Sequence, residues 1–262
     1  MTLRSPLNPR EESDVKPSAE RVLILGATSK IATEVALVHQ ARGDRLHLVG
    51  RSPEKLEALH ALLPDATIEA ADLSDFDACD ALVGRAVETL GGLDRALIAH
   101  GELGDQIESE RSWQAAERAF AVNLLSAVAL VLPLTRHFEE RGRGRLGVIT
   151  SVAGERGRPR NYTYGAAKGG LSIYLEGVRS RLFSTDISVT TLKLGPVDTP
   201  MTVGHEKNAL FGKPAVVARD IVRAMDRGRA NVFIPGVWRW ILLVVRLLPE
   251  SLFQRFGFLS GR

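Results

Sequence analysis

Tyr164 and Lys168 stand four residues apart at the start of a segment of helical period, which puts both side chains on one helix face. A free tyrosine titrates near ~10, so acid/base work at neutral pH needs its phenolate favoured, and a nearby ammonium does that. Ser151 leaves the end of an apolar run, where its hydroxyl can hydrogen-bond a substrate carbonyl. A Tyr followed four places later by a Lys arises by chance about one time in ten and is then only a helix-surface pair. The wider pattern has to decide between the two readings.

The elements that must position these residues are legible in the periodicity. Strands are expected near Val22–Leu25, Leu46–Val49, Thr67–Ala70, Ala96–Ala99, Leu146–Thr150, Ser188–Leu194 and Val232–Ile234, separated by segments of helical period. Two long helices are expected through Trp113–Phe138 and Tyr164–Phe183, flanking the catalytic region. Alternating strands and helices imply an α/β single domain with a doubly wound, mostly parallel sheet covered on both faces. Its ligand belongs at the carboxyl ends of the strands. The first strand–turn–helix junction, Leu25-Gly26-Ala27-Thr28-Ser29-Lys30-Ile31-Ala32, can offer backbone N–H groups and a helix N-terminus to a dinucleotide phosphate, although one glycine before a helix also suits a plain connection.

From Arg21 onward the chain resembles the short-chain dehydrogenase/reductases, a Rossmann-type family. The family serine matches Ser151 in Thr150-Ser151-Val152-Ala153-Gly154, thirteen residues before Tyr164; Tyr-x-x-x-Lys matches Tyr164-Gly165-Ala166-Ala167-Lys168; and the structural asparagine matches Asn123, forty-one residues before the tyrosine. The resemblance implies Tyr164 as proton donor, Ser151 orienting the carbonyl, Lys168 holding the nicotinamide ribose and lowering the tyrosine pKa, and Asn123 supporting a water relay. It further places Asp72, in Ala71-Asp72-Leu73, at the adenine ring, and Val197 and Thr199, in Gly195-Pro196-Val197-Asp198-Thr199, at the nicotinamide carboxamide. The lesser reading of Asp72 and Thr199 is as loop residues only. No metal is expected.

Several positions depart from the family. Of the glycine triplet only Gly26 is kept, with Lys30 and Ala32 in the second and third places; Ala99-His100-Gly101 replaces Asn-Asn-Ala-Gly; and Leu194 stands where a proline precedes Gly195. Lys30 either adds a phosphate contact or perturbs the turn, and His100 reads as a loop histidine beside the cofactor. The stretch Gly154–Arg158 with Asn161 and Tyr162, and the tail Phe233–Phe258, resemble reductases that act with a flavin oxidase to epimerise decaprenylphosphoryl ribose. That closer resemblance implies a keto sugar on a polyprenyl phosphate as substrate and a flavin oxidase as partner. A small ketone, steroid or acyl substrate, and a non-catalytic NADP-binding protein, remain alternatives. Family resemblance also implies a homo-oligomer.

The second strand ends Leu48-Val49-Gly50-Arg51-Ser52 with no acid for ribose hydroxyls, so Arg51, aided by Lys30, suits the 2′-phosphate of NADP, with NAD as the alternative. Between Pro235 and Pro249, Gly236–Leu248 is nearly all apolar, broken only by Arg239 and Arg246. A helix of that length reaches roughly 20 Å, short of the roughly 30 Å hydrocarbon core, so it should not span. One reading has the two arginines reaching lipid phosphates while Trp238, Trp240, Leu242 and Val245 face apolar surroundings; the other docks the helix on the protein's own core or at a subunit interface.

The 262 residues are 45% hydrophobic and 25% charged, enough to bury a substantial core. The net charge of +3 is spread among acids, which argues against nucleic-acid binding, and Cys79 is the only cysteine, which excludes an intramolecular disulfide and fits the cytosol. The expected organisation is a disordered tail over 1–20, a dinucleotide-binding catalytic domain over 21–235, and an apolar, basic extension over 236–262. The expected location is cytoplasmic, peripheral at the inner face of the membrane, with the nearest approach to a membrane-length apolar run near the C-terminus.

Overall fold

The computed structural model describes residues 19–202 and 210–255; most of the expected tail, and the last residues of the extension, lie outside them. Each apolar run expected as a strand forms one. The strands β1 (Arg21–Leu25), β2 (Arg45–Gly50), β3 (Thr67–Ala70), β4 (Arg95–Ile98), β5 (Arg143–Ser151), β6 (Asp186–Leu194) and β7 (Asn231–Ile234) pair in parallel in the order β3-β2-β1-β4-β5-β6-β7. Between them run α1 (Lys30–Arg42), α2 (Pro53–Leu62), α3 (Cys79–Leu90), α4 (Gln106–Ser109), α5 (Trp113–Phe120), α6 (Ser126–Arg141), α7 (Tyr162–Arg181), α8 (Pro214–Asp226), α9 (Trp238–Leu247) and α10 (Glu250–Arg255).

Strand side chains alternate between two faces, and both faces are covered. Leu23 and Leu25 pack with α3, α6 and α7, while Val22 and Ile24 pack with α1, α2 and α8. β1 lies between β2 and β4, so successive crossovers leave it in opposite directions and open a crevice at the carboxyl ends of the strands. The opposite edge is locked by charge. Arg95, at 1% exposure, meets Glu20 at 2.7 Å and Asp226 at 2.7 Å, and Arg145 and Arg42 add ion pairs to the same two acids.

The helix expected through Trp113–Phe138 is interrupted. A π turn over Ala121–Leu125 separates α5 from α6 and buries Asn123. Such turns recur at functional sites because the extra residue re-aims one side chain. The expectation about membrane length needs a correction. The helix long and apolar enough by length and composition to cross a bilayer is Trp113–Arg141, not the C-terminal segment, and half of its most apolar stretch is buried inside the protein. The buried hydroxyls Ser126 and Thr135 donate to the carbonyls of Val122 and Val131, which lets a polar-dotted helix pack in the core.

The C-terminal segment docks on the body with one face. Trp238, Ile241, Leu242, Val245 and Phe253 pack with Val152 and Phe233. Arg156 donates to the carbonyls of Val245 and Leu248, pairs with Glu250 at 2.8 Å, and lies 4.0 Å over the Phe253 ring. Lys193 and Glu155, both nearly buried, pair at 2.6 Å, and Arg246 meets Glu155 at 3.3 Å. Two details of the expected lipid-facing arrangement are therefore corrected. Trp240 does not share the packed face of Trp238, Leu242 and Val245 but is 63% exposed, and Arg246 is held by a protein carboxylate. The outward face of α9 carries Val237, Trp240, Val244 and Leu247, all exposed.

Phe253→Ala should weaken the docked segment by about 3 kcal/mol, because a buried ring is lost and leaves a cavity. Amide exchange should then accelerate in α9 and α10 before it does in the sheet; unchanged exchange there would contradict the docking.

Candidate active site

The turn after β1 is shaped by Gly26, whose φ of 83° lies in the left-handed region. Its N–H and that of Ala27 both donate to the Val49 carbonyl at 2.9 Å, and a Cβ on Gly26 would fall 2.7 Å from the His100 nitrogen. Ser29 caps α1 by accepting from the Ala32 N–H, so the turn is regular despite Lys30, whose ammonium pairs with Glu34 at 3.1 Å. The helix N-terminus faces a cleft of about 1150 Å³. Gly26, Thr28, Ser29, Lys30, Ile31, Arg51, Asp72, Leu73, Tyr164, Lys168, Val197 and Thr199 all line it, as does Ser151. Asp72 also accepts from the Ser74 N–H, and the Thr199 N–H donates to the Thr202 hydroxyl, so both order their loops as well.

Ser151 ends β5, and its hydroxyl accepts from the Ala153 N–H as the chain turns. Helix α7 approaches this turn at a glycine contact, where a Cβ on Gly154 would lie 2.6 Å from the Gly169 nitrogen. That approach sets Tyr164 beside Ser151. Burial pushes the Tyr164 phenol above its usual range, opposed by hydrogen bonding to Ser151. Lys168 is 3% exposed and donates to the Ile149 carbonyl at 3.3 Å; burial brings its ammonium down to about 8.

Asn123 does not line the cleft. From the π turn it accepts from the Glu102 N–H and donates to the carbonyls of Glu102 and Ala119, fixing the loop after β4. His100 is pushed down to about 3, by burial first and by Lys168 second, and its Nε2 lies 2.6 Å from the Ser126 hydroxyl. An imidazole that stays neutral and so weakly basic is no general base at neutral pH.

Among the lining groups that sequence reading missed are Arg158, Arg160, Lys55 and Trp238. Lys55 joins Arg51 in the cleft from the first turn of α2, and the Ser52 cap with a cation three places later was the only signal. Trp238 also lines the cleft, and its indole occupies the space a Cβ on Gly195 would need. The packing of α9 brings it there, and no motif marks it.

A large crevice at the strand ends can hold a dinucleotide, and the nearly buried Lys168 ammonium, with one carbonyl partner, fits further oxygen acceptors such as ribose hydroxyls. Comparison with known proteins agrees. Residues 20–209 match the short chain dehydrogenase family. An uncharacterized oxidoreductase of Mycobacterium tuberculosis is 33% identical over 242 residues, covering 90% of this chain and 97% of that protein. The solved structure of a short-chain dehydrogenase from Streptomyces avermitilis superposes with a TM-score of 0.79 at 21% identity, over 93% of this chain and 98% of that one. The actinorhodin polyketide ketoreductase, solved with NADPH, does so with a TM-score of 0.74 at 23% identity, over 82% and 96%. The chain belongs to the short-chain dehydrogenase/reductase family and is an NAD(P)H-dependent oxidoreductase acting on a carbonyl or alcohol group.

The charge states predict a pH profile. Tyr164 stays protonated well above neutrality, whereas Lys168 loses its proton as pH rises through about 8. The kcat/KM for the cofactor, which reports the protein with its cleft empty, should be level below that value and fall above it. Lys168→Met should lower the rate and abolish that limb; a limb that persists in this variant would assign it elsewhere.

Proposed function

We propose that the chain uses NADPH to reduce the keto group of a sugar carried on a polyprenyl phosphate, acting as a homo-oligomer peripheral to the inner face of the membrane, on a ketone made by a flavin oxidase. The observation that carries this reading is the continuity of apolar surface. Met201, Phe211 and Trp238 line the cleft, and the helix that begins with Trp238 turns Val237, Trp240, Val244 and Leu247 outward. A sugar in the cleft could leave its hydrocarbon chain along this face, and the same face could rest on lipid. Exposed Leu125, Leu132 and Ile173, the first in the π turn and the others on α6 and α7, suit contact between copies of the chain.

Bound NADPH supplies the hydride. Ser151 orients the carbonyl, and Tyr164 gives its phenolic proton to the carbonyl oxygen as the alcohol forms. Lys168 holds ribose hydroxyls and, while charged, draws the phenol pKa down. Asn123 keeps the loop after β4 in register and supports the relay that reprotonates the tyrosine. Incubation of cell lipid extract with NADPH, read by mass spectrometry, should show a lipid-linked ketone consumed. Tyr164→Phe should lose at least ~10² in rate while cofactor affinity stays within about twofold, because only the phenolic proton is removed. Lys168→Ala should harm both. Turnover only of small ketones, steroids or acyl carbonyls would support the alternative substrate class, and turnover retained in the Phe variant would reject the proton-donor role.

The choice of NADPH rests on the end of β2. Arg51 lines the cleft without a hydrogen bond or ion pair among the described residues, and Lys55 stands one helical turn on. Two cations and no acid suit a 2′-phosphate, and the ketoreductase of shared fold was solved with NADPH. Dissociation constants should favour NADPH over NADH by about tenfold or more, a preference lost or reversed in Arg51→Asp. Equal binding of both cofactors to the unmutated protein would contradict this.

A further inference from the structure

The cleft is cationic in two separate places. At the strand ends of β1 and β2 stand Lys30, Arg51 and Lys55, which suit the phosphates of a dinucleotide. On the loop between β5 and α7 stand Arg158 and Arg160, beyond the Ser151–Tyr164 pair. In the sheet order, β2 and β5 are three strand spacings apart, roughly 14 Å. The two acids that line the cleft, Asp72 and Glu102, are engaged locally, Asp72 with the Ser74 N–H and Glu102 with Arg118 at 2.8 Å.

Arg158 stands out within the second group. Its guanidinium makes no hydrogen bond, ion pair or ring contact among the described residues, although the residue is partly buried. Burial pushes its guanidinium below the ordinary range, and among the described residues no carboxylate opposes the shift. Its position is not a matter of a loose loop. Arg156, two residues earlier, is tied to the carbonyls of Val245 and Leu248 and to Glu250, and the Asn161 N–H donates to the Arg158 carbonyl as α7 begins. A guanidinium removed from part of its water and given no partner costs free energy, and an oxyanion in the cleft would recover it.

We propose that Arg158 is the anion anchor of the substrate site: the molecule whose carbonyl meets Ser151 and Tyr164 carries a phosphate or carboxylate that pairs with Arg158. This rests on the reductase reading of the site and extends it to a residue outside the family motif. The dinucleotide does not account for it, since its phosphates belong at the Gly26 turn and the end of β2. The shared chemistry is an oxyanion, carried either by a lipid or by a small soluble molecule.

The test is a calorimetric titration of the NADP-saturated protein with four probes: inorganic phosphate, octyl phosphate, octanoate and octanol. At least one anionic probe should bind, and Arg158→Ala should weaken it by about tenfold or more, while Arg158→Lys keeps part of the affinity. Octanol affinity should not change. Arg158→Gln, which retains most of the stem, guards against a loss that is only one of packing. Octyl phosphate binding far above inorganic phosphate assigns the anion to a lipid, and equal binding assigns it to a soluble substrate. Anion affinity unchanged in the Ala and Gln variants, or a loss confined to NADP, would overturn the proposal. The titration needs no turnover, so its outcome is separate from that of Tyr164→Phe, which tests the redox reading itself.

Discussion

A lysine ammonium buried with one carbonyl for company is the condition on which the site is organised. Lys168 is nearly inaccessible, and among the described residues its ammonium has one hydrogen-bond partner, the Ile149 oxygen at 3.3 Å. A cation so placed is costly unless something else supplies acceptors, and its pKa is drawn down to about 8 as a result. The surroundings hold it there all the same. The Gly154–Gly169 contact lets α7 close on the turn after β5, and the π turn seats Asn123 against the loop after β4. The structure thus keeps a charge desolvated at a point on the cleft wall where a bound molecule could supply further oxygen acceptors.

The treatment of charge elsewhere makes the contrast plain. At the opposite edge of the sheet Arg95 is just as buried, yet it has two carboxylates at hydrogen-bond distance, and Lys193 has Glu155. Those groups meet carboxylates within the chain and tie its elements together, although one Arg95 nitrogen has no hydrogen-bond partner among the described residues. Around the cleft, Arg51, Arg158 and Lys168 lack such carboxylate partners among the described residues. The cleft thus holds both paired charges, such as Lys30 and Glu102, and three cations without a carboxylate, whose cost a bound anion or ligand oxygen could offset.

Much of this was legible in the residues. Apolar runs such as Val22–Leu25 could be read as strands because four consecutive apolar positions bounded by turn residues suit a sheet covered on both sides, and Ser151, Tyr164 and Lys168 could be brought together because strand end and helix start are local features. What could not be read depended on contacts between distant segments. The π turn at Ala121–Leu125 leaves no mark in the helical period, which runs through it. The C-terminal segment posed a choice between lipid and core, yet α9 has a docked face and a bare one, because Arg156 and Glu155 reach it from the catalytic turn. The place of Trp238 in the cleft follows from that docking alone.

Trp238 also bears on how such an enzyme can diverge. The part of the chain that matches the family model ends at residue 209, before α9, so the cleft wall at Gly195 is completed by a segment beyond that match. One part of the cleft wall is therefore encoded in a stretch of sequence separate from Ser151, Tyr164 and Lys168. Mutations in α9 can reshape the chamber without touching the serine, tyrosine or lysine, and drift in this helix is a route by which one ancestral reductase could acquire new substrates while its redox step stays the same.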